Sequence, residues 1–296
     1  MKYNLILVRY GEIALKGKVT RNSFENRLVS NIKNALNSRN IDSKIKKEWG
    51  RIYVYSNQID NCIEVLKKIF GITSVSPVFK TTSSMDAISE IAVEISKKQI
   101  NSKKSFAVRA SRTGKHDFSS QDVAVKVGDA IVNATKAKVN LTKPDFELFI
   151  EVRNKKSFLF TEKIRCIGGM PLGTQGNFLS IINSKDSILS AWYIMRRGCN
   201  ASFIVSDNFD LKILKSFLSS WFIDSKVTIA EPDKINEIAH LQNCDAIVTG
   251  DSLLHDAENT LNNLIQLKNQ IGLPILHPLI AMSQDEITKK CKEIGL

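Results

Sequence analysis

The chain has 296 residues, enough for two or three domains, and its 43% hydrophobic and 24% charged residues are the balance of an ordinary globular protein. No run of about 18 apolar residues is present to span a membrane and no secretory signal opens the chain; the five scattered cysteines (62, 166, 199, 244 and 291) spell neither a disulfide framework nor a CxxC metal site, so a cytoplasmic protein with reduced thiols is expected. The net charge of +12 is unevenly placed: 31 Lys+Arg against 16 Asp+Glu up to Arg165, then 11 against 14, so the first half carries the footprint of a polyanion partner, nucleic acid before an anionic membrane surface.

Residues 3–9 (YNLILVR) predict a strand, and 21–38, with Phe24, Leu28, Ile32 and Leu36 at i, i+4 spacing, an amphipathic helix. Strands at 41–46 and 51–55, a helix at 59–70 ending at Gly71, and a strand through VSPVFK complete a strand–helix–strand–strand–helix–strand order. This is the split βαβ pattern of a ferredoxin-like α+β domain, placed over 1–75. A second α/β unit, 76–165, holds a helix at 84–99, a strand at 105–110, a polar loop, a helix at 119–135 and strands at 146–153 and 157–161, with 154–156 as a hairpin turn. A Gly-rich connector (166–176) leads to a third region, 177–296. There strands at 177–182, 201–205, 226–230, 244–249 and 274–279 alternate with helices at 187–197, 209–222, 232–242, 256–270 and 283–294. That alternation predicts a doubly wound, mainly parallel sheet. Such sheets bind ligands at the carboxyl ends of their strands, which directs attention to 182–187 and 249–260.

After Ile182 come Asn183, Ser184, Lys185, Asp186 and Ser187 at the start of a helix. Backbone N–H groups and the positive end of the helix dipole favour phosphate there. In that reading Lys185 contacts phosphate, Asp186 holds magnesium and Ser187 caps the helix; the plain alternative is an ordinary N-cap. Gly250 and Asp251 follow the strand CDAIVT at a second ligand-competent end, Asp251 as a metal or ribose ligand or as a helix cap. His255 belongs to the same loop, whereas His277, beside Pro278, is expected to be structural. GxxxxGK[ST] and GxGxxG are both absent, which argues against a methyltransferase cofactor loop, and the GxxG at 173–176 reads as connector. In the basic half, Arg109, Arg112, Lys115 and His116 lie on a strand end and loop near Phe106 and Phe118. Cations beside aromatics suit phosphate contact and base stacking; the alternative is a solvated loop over two core phenylalanines.

Three strings together resemble the tRNA 4-thiouridine synthetases, or tRNA sulfurtransferases. The opening VRYGEIALKGK with Arg21 and Phe24 resembles their start. VRASRTGKHDFSSQDVAVKVGDA, with Pro144, Glu147, Glu151 and Arg153, resembles their THUMP domain. GGMPLGTQG and the helix end Met195-Arg196-Arg197-Gly198-Cys199, followed later by AIVTGDSL and LPILHPLIAMSQDEI, resemble their PP-loop ATP-pyrophosphatase domain. The resemblance implies tRNA docking by the first two domains, with Arg9, Lys16, Lys18 and Arg21 joining the RNA contacts. It also implies uridine adenylation with ATP and Mg²⁺ by the third domain, then sulfur delivery from a persulfide carrier, in some members linked to thiamine biosynthesis.

The pattern departs at the chemistry. The family's Ser-Gly-Gly-x-Asp-Ser aligns with Ile182-Asn183-Ser184-Lys185-Asp186-Ser187, so both glycines are replaced. The family's Gln-bearing string after Thr249-Gly250 becomes Ser252-Leu253-Leu254-His255, with Asn259 at the second Gln position. The Cys-x-x-Cys segment expected between 206 and 243 has no counterpart, and the chain ends at Gly295-Leu296, where the family runs on. Two readings follow: a tRNA-binding family member with a degenerate ATP site, working as a scaffold, a homodimer or the partner of an active paralogue, or an active divergent sulfurtransferase.

Overall fold

The computed structural model describes the backbone of residues 3–253 and 257–296, and all of their side chains except those of 232 and 257–259. The chain forms two compact units. The first gathers the residues up to Arg9, Ile41–Lys67 and Ser74–Arg165; the second gathers Tyr10–Asn40, Lys68–Thr73 and Cys166–Leu296.

In the first unit two five-stranded sheets meet. One has the order β10-β4-β1-β3-β2, built from β1 (Leu5–Tyr10), β2 (Lys44–Glu48), β3 (Arg51–Tyr55), β4 (Ile72–Pro77) and β10 (Ile164–Arg165). Its 4-1-3-2 core, with antiparallel β1–β3 and β2–β3, is the ferredoxin-like arrangement. The other has the order β5-β9-β8-β6-β7, from β5 (Phe79–Thr82), β6 (Ser105–Thr113), β7 (Lys138–Val139), β8 (Phe146–Arg153) and β9 (Lys156–Phe160). The expected single strand through VSPVFK is split. Pro77, which has no N–H for a ladder, closes β4 in the first sheet, and Phe79 opens β5 in the second.

The second sheet is buried on both faces. On one side α3 (Met85–Lys97) and α4 (Ser120–Thr135) bury Ile88, Ala92, Val123, Val127 and Ile131 against Phe106, Leu148 and Ile150. On the other side Phe158 and Phe160 pack with Leu5, Leu7 and Tyr53 of the first sheet. Period-2 alternation sets these faces, so Leu5, Leu7 and Arg9 share one side of β1. The remaining helix of this unit, α2 (Ile59–Leu66), ends earlier than the expected 70.

The second unit contains α1 (Lys18–Ser38), preceded by a 3-10 turn at Glu12–Leu15, and a parallel sheet of order β13-β12-β11-β14-β15. Its strands are β11 (Asn177–Ile182), β12 (Asn200–Val205), β13 (Val227–Ile229), β14 (Ala246–Val248) and β15 (Ile275–Leu276). On one face α5 (Lys185–Arg196), α6 (Leu211–Ser220) and α9 (Gln284–Ile294) bury Trp192, Phe203, Phe217 and Ile287. On the other, α7 (Ile235–Leu241) and α8 (Ala257–Gln270) cover Leu179, Ile204 and Ile247. The sheet is doubly wound, as expected. Residues 232–234 form a 3-10 turn rather than the first turn of α7, and Pro274 and Pro278 confine β15 to two residues. Among the described residues no helix is long and apolar enough to cross a membrane.

Candidate functional site

The strand order places β11 at the centre, with β12 and β13 to one side and β14 and β15 to the other. The chain reverses direction across the sheet between β11 and β14, which is the crevice where such folds take ligands. The loops after these two strands are the ones the sequence singles out. They touch: a Cβ on Gly250 would lie 2.6 Å from the Ser187 backbone nitrogen, so only glycine allows this approach. The Ser190 hydroxyl donates to the Thr249 carbonyl at 2.5 Å and ties α5 to the end of β14.

At the start of α5, Ser184 and Ser187 form a capping box. The Ser187 hydroxyl accepts from the backbone N–H of Asn183 at 3.2 Å and of Ser184 at 3.1 Å, and donates to the Ser184 carbonyl at 2.7 Å. Ser187 is fully buried. The two N–H groups at the family's glycine positions therefore turn to this hydroxyl, not outward to an anion. Ser184 is extended at φ −154°, and neither it nor Asn183 is among the positive-φ residues. Lys185 is exposed. Asp186 is half-buried, and burial raises its pKa above the ordinary aspartate value. The Cys291 Sγ of α9 lies 4.0 Å from its Oδ1. Burial, then the Asp186 charge, pushes that thiol up to about 11, so it stays protonated and unreactive at neutral pH. Among the described residues no group of three or more His, Cys, Asp or Glu is placed to hold a metal.

At the end of β14 a second cluster forms. The Thr249 hydroxyl lies 2.7 Å from His277 Nδ1, and Asp251 Oδ2 lies 3.5 Å from the same nitrogen. His277 thus lies just past β15, beside the end of β14. Its position follows from β14–β15 pairing, where Val248 opposes Leu276 and the next residues are Thr249 and His277. No sequence motif marks that pairing. His255 lies outside the described residues, as does the side chain of Asn259.

The expected RNA residues are distributed over both units. In the first, Arg9 is taken up by a buried clamp. It reaches Glu151 at 2.9 Å and the Ser76 hydroxyl at 3.0 Å, and lies 4.7 Å from the centre of the Phe160 ring. Arg51 holds the other Glu151 oxygen at 3.0 Å. Burial alone would raise the Glu151 pKa; the Arg9 and Arg51 charges overcome it and hold the carboxyl below its ordinary range. Arg109 is exposed but paired with Glu147 at 2.8 Å, and it donates to the Leu141 carbonyl. The strand β6 runs to Thr113, three residues past the expected end, so Arg112 lies on the strand and is exposed, with Nη1 on the Gly114 carbonyl. Lys115 is exposed, and His116 Nε2 meets the Asn154 carbonyl at 2.7 Å with its ring 5.2 Å from Phe118. In the second unit Lys16 and Lys18 are exposed around the start of α1, and Arg21 is half-buried.

Comparison with known proteins agrees with this architecture. Residues 5–76 match the ThiI ferredoxin-like domain, 82–162 the THUMP domain and 231–296 the thiamine biosynthesis protein family ThiI. Those three matches define a THUMP-bearing protein of the ThiI class. A probable tRNA sulfurtransferase of Methanobrevibacter smithii is 34% identical over 337 residues, spanning 100% of this chain and 87% of its own length. One from Methanocaldococcus jannaschii is 35% identical over 98% of this chain and 87% of its own length. Among solved structures, a Pyrococcus horikoshii protein matches with TM-score 0.84 at 27% identity over 99% of this chain and 100% of that one. A 4-thiouridine synthetase in complex with RNA and bound ATP matches with TM-score 0.80 at 25% identity over 99% and 85%. The chain belongs to the tRNA sulfurtransferase family.

Proposed function

We propose that this protein binds tRNA through its basic N-terminal half, residues 1–165, and that its adenylation site is impaired. The observation that carries the second half is the Ser187 lock: one buried hydroxyl occupies the N–H groups of Asn183 and Ser184. A phosphate cradle needs outward-facing amides, and close approach to a pyrophosphate favours glycine, with its access to left-handed backbone. With those two amides engaged, the loop offers a triphosphate fewer donors than a glycine-rich cradle would. The first half is supported by the excess of 31 Lys+Arg over 16 Asp+Glu up to Arg165, by the exposed Arg112 and Lys115, and by the RNA bound to the related synthetase.

A second reading, an active ATP-dependent sulfurtransferase, is favoured by the crevice itself. Lys185 is exposed there, and Thr249, Asp251 and His277 converge on its other side. In that case a persulfide donor and a link to thiamine biosynthesis come with it. A thermal-shift titration with ATP and Mg²⁺, with and without tRNA, separates the two. Ligand at about 100 times its dissociation constant stabilises by roughly 2.7 kcal/mol. The proposal expects a salt-sensitive shift with tRNA and none with ATP. A clear ATP-dependent shift would overturn the impaired-site reading and establish nucleotide binding.

A further inference from the structure

Beside the basic loop of the first unit, the β2–β3 hairpin carries an unusual tip. Its turn is Trp49-Gly50, with Gly50 in left-handed backbone at φ +74°. Trp49 is 65% exposed, whereas Trp192 is 0% and Trp221 6% exposed. A tryptophan this exposed forgoes much of the burial that normally stabilises it, and such a side chain commonly serves recognition. The tip is rigidly held: Arg153 Nη2 donates to the Trp49 carbonyl and Arg51 Nη1 to the Gly50 carbonyl, both at 2.6 Å.

The charge at this end of the two sheets is unbalanced. Arg9, Arg51, Arg153 and Lys156 stand against Glu48 and Glu151, through Arg9–Glu151, Arg51–Glu151 and Lys156–Glu48 pairs. Arg153 has a carbonyl as its partner rather than a carboxylate.

The cluster is also continuous with the expected RNA loop. The turn between β8 and β9 is Asn154-Lys155; the Asn154 N–H donates to the Thr113 carbonyl at 3.1 Å, and the Asn154 carbonyl meets His116 Nε2. Arg112, Lys115, Lys155, Arg153 and Trp49 therefore run along one edge of the unit.

We propose that the β2–β3 tip is a subsite for an unpaired RNA nucleotide: Trp49 stacks on the base, and Arg153 takes the adjoining phosphate. This rests on the tRNA-binding reading and deepens it. Single-stranded nucleotides suit the site because a stacked, paired base does not offer its face to an indole.

The test uses the full chain with fluorescein-labelled tRNA and, separately, an unlabelled hexameric oligouridylate. Trp49→Ala weakens tRNA binding about 5- to 150-fold, the range for one base–aromatic stack. Trp49→Phe keeps most of the affinity, and the salt slope of Trp49→Ala stays that of wild type because no charge is lost. Oligouridylate quenches tryptophan emission in wild type and not in Trp49→Ala, whose two remaining indoles are buried. An unchanged melting temperature for Trp49→Ala excludes a folding effect, and if it does fall, the wild-type quench by oligouridylate decides alone. Wild-type affinity for tRNA in Trp49→Ala, with no quench in wild type, overturns the subsite. So does self-association that Trp49→Ala abolishes without any RNA effect, which would give the indole to a second copy. Failure of wild type to bind tRNA even at low salt overturns the wider reading, and the oligouridylate quench then decides the subsite by itself.

Discussion

In the loop after β11 the Ser187 hydroxyl turns back onto its own backbone, while at the end of β6 and in the loop after it Arg112 and Lys115 are exposed. Both segments sit at strand ends, where ligands commonly bind. They differ in where their hydrogen-bonding capacity goes. A helix N-terminus attracts anions only with the donors it has left. At α5 the capping box uses the N–H groups of Ser184 and Ser187 internally, and the Ser187 hydroxyl takes that of Asn183 as well. The basic loop instead fixes its backbone through His116 and Asn154 and leaves its cations to solvent. Having the family's residue types in the right place is therefore weaker support for a site than having their donors pointed outward.

The largest expected effect tests whether the basic unit's geometry depends on its buried clamp. Glu151→Gln removes the charge that Arg9 and Arg51 share, and leaves buried guanidinium groups uncompensated. We expect a loss of about 3–5 kcal/mol in urea unfolding. The pH dependence has a definite sign. The folded pKa of Glu151 lies below its unfolded value, so its stabilisation is present above about pH 4.3 and is lost as pH falls through the folded value. The variant should lose that acid limb. An equal acid limb in both proteins would move the titrating group elsewhere.

The next effect would erase the contrast between the two loops. Asn183→Gly with Ser184→Gly opens left-handed backbone and loosens the grip on the Ser187 hydroxyl. Gly at an N-cap in place of Ser costs only a few tenths of a kcal/mol. If the lock is what impairs the site, ATP with Mg²⁺ should now stabilise the variant by roughly 2.7 kcal/mol at 100 times the dissociation constant. No nucleotide shift in a folded variant would mean that this loop does not decide nucleotide binding. A smaller effect comes from Gly250→Ala. Its Cβ would press on the Ser187 backbone, and overpacking of this kind costs about 1–3 kcal/mol in thermal or urea unfolding.

How far the sequence reached can be read from particular residues. The periodicities of α1, α3 and α4 and the strand–helix alternation after 176 were legible because burial dictates them. Pro77 was visible, but its consequence, two strands in two sheets, depends on which partner each half finds. The family resemblance put Arg9 among the RNA contacts. Its shared face with Leu5 and Leu7 put it inside, where Glu151, 142 residues away in sequence, meets it. The cap of α5 was legible as a cap, but the sequence pointed to Ser187 for it; the N-cap is Ser184, and Ser187 answers it from three residues on. The Thr249–Asp251–His277 cluster had none, because parallel register joins segments that the sequence keeps apart. Trp49 did have a signal, an aromatic residue beside glycine between two charged strands, but turn grammar alone does not distinguish a tip from a site.

The smallest effect divides the cations of the basic loop among themselves. Arg112 and Lys115 are exposed, whereas Arg109 is already paired with Glu147 and the Leu141 carbonyl. A cation that neutralises a phosphate releases about one counterion, so its loss lowers the salt slope of binding by about one unit. A cation that keeps its carboxylate in the complex releases none. Arg112→Ala and Lys115→Ala should each reduce the slope of log affinity against log salt by about one. Arg109→Ala should change it by much less, because Glu147 loses its partner at the same time. Anisotropy titrations of labelled tRNA between 50 and 200 mM salt measure all three. Equal slopes for the three variants would mean that Glu147 gives up Arg109 to the RNA, and that exposure alone is no guide to which cations bind phosphate.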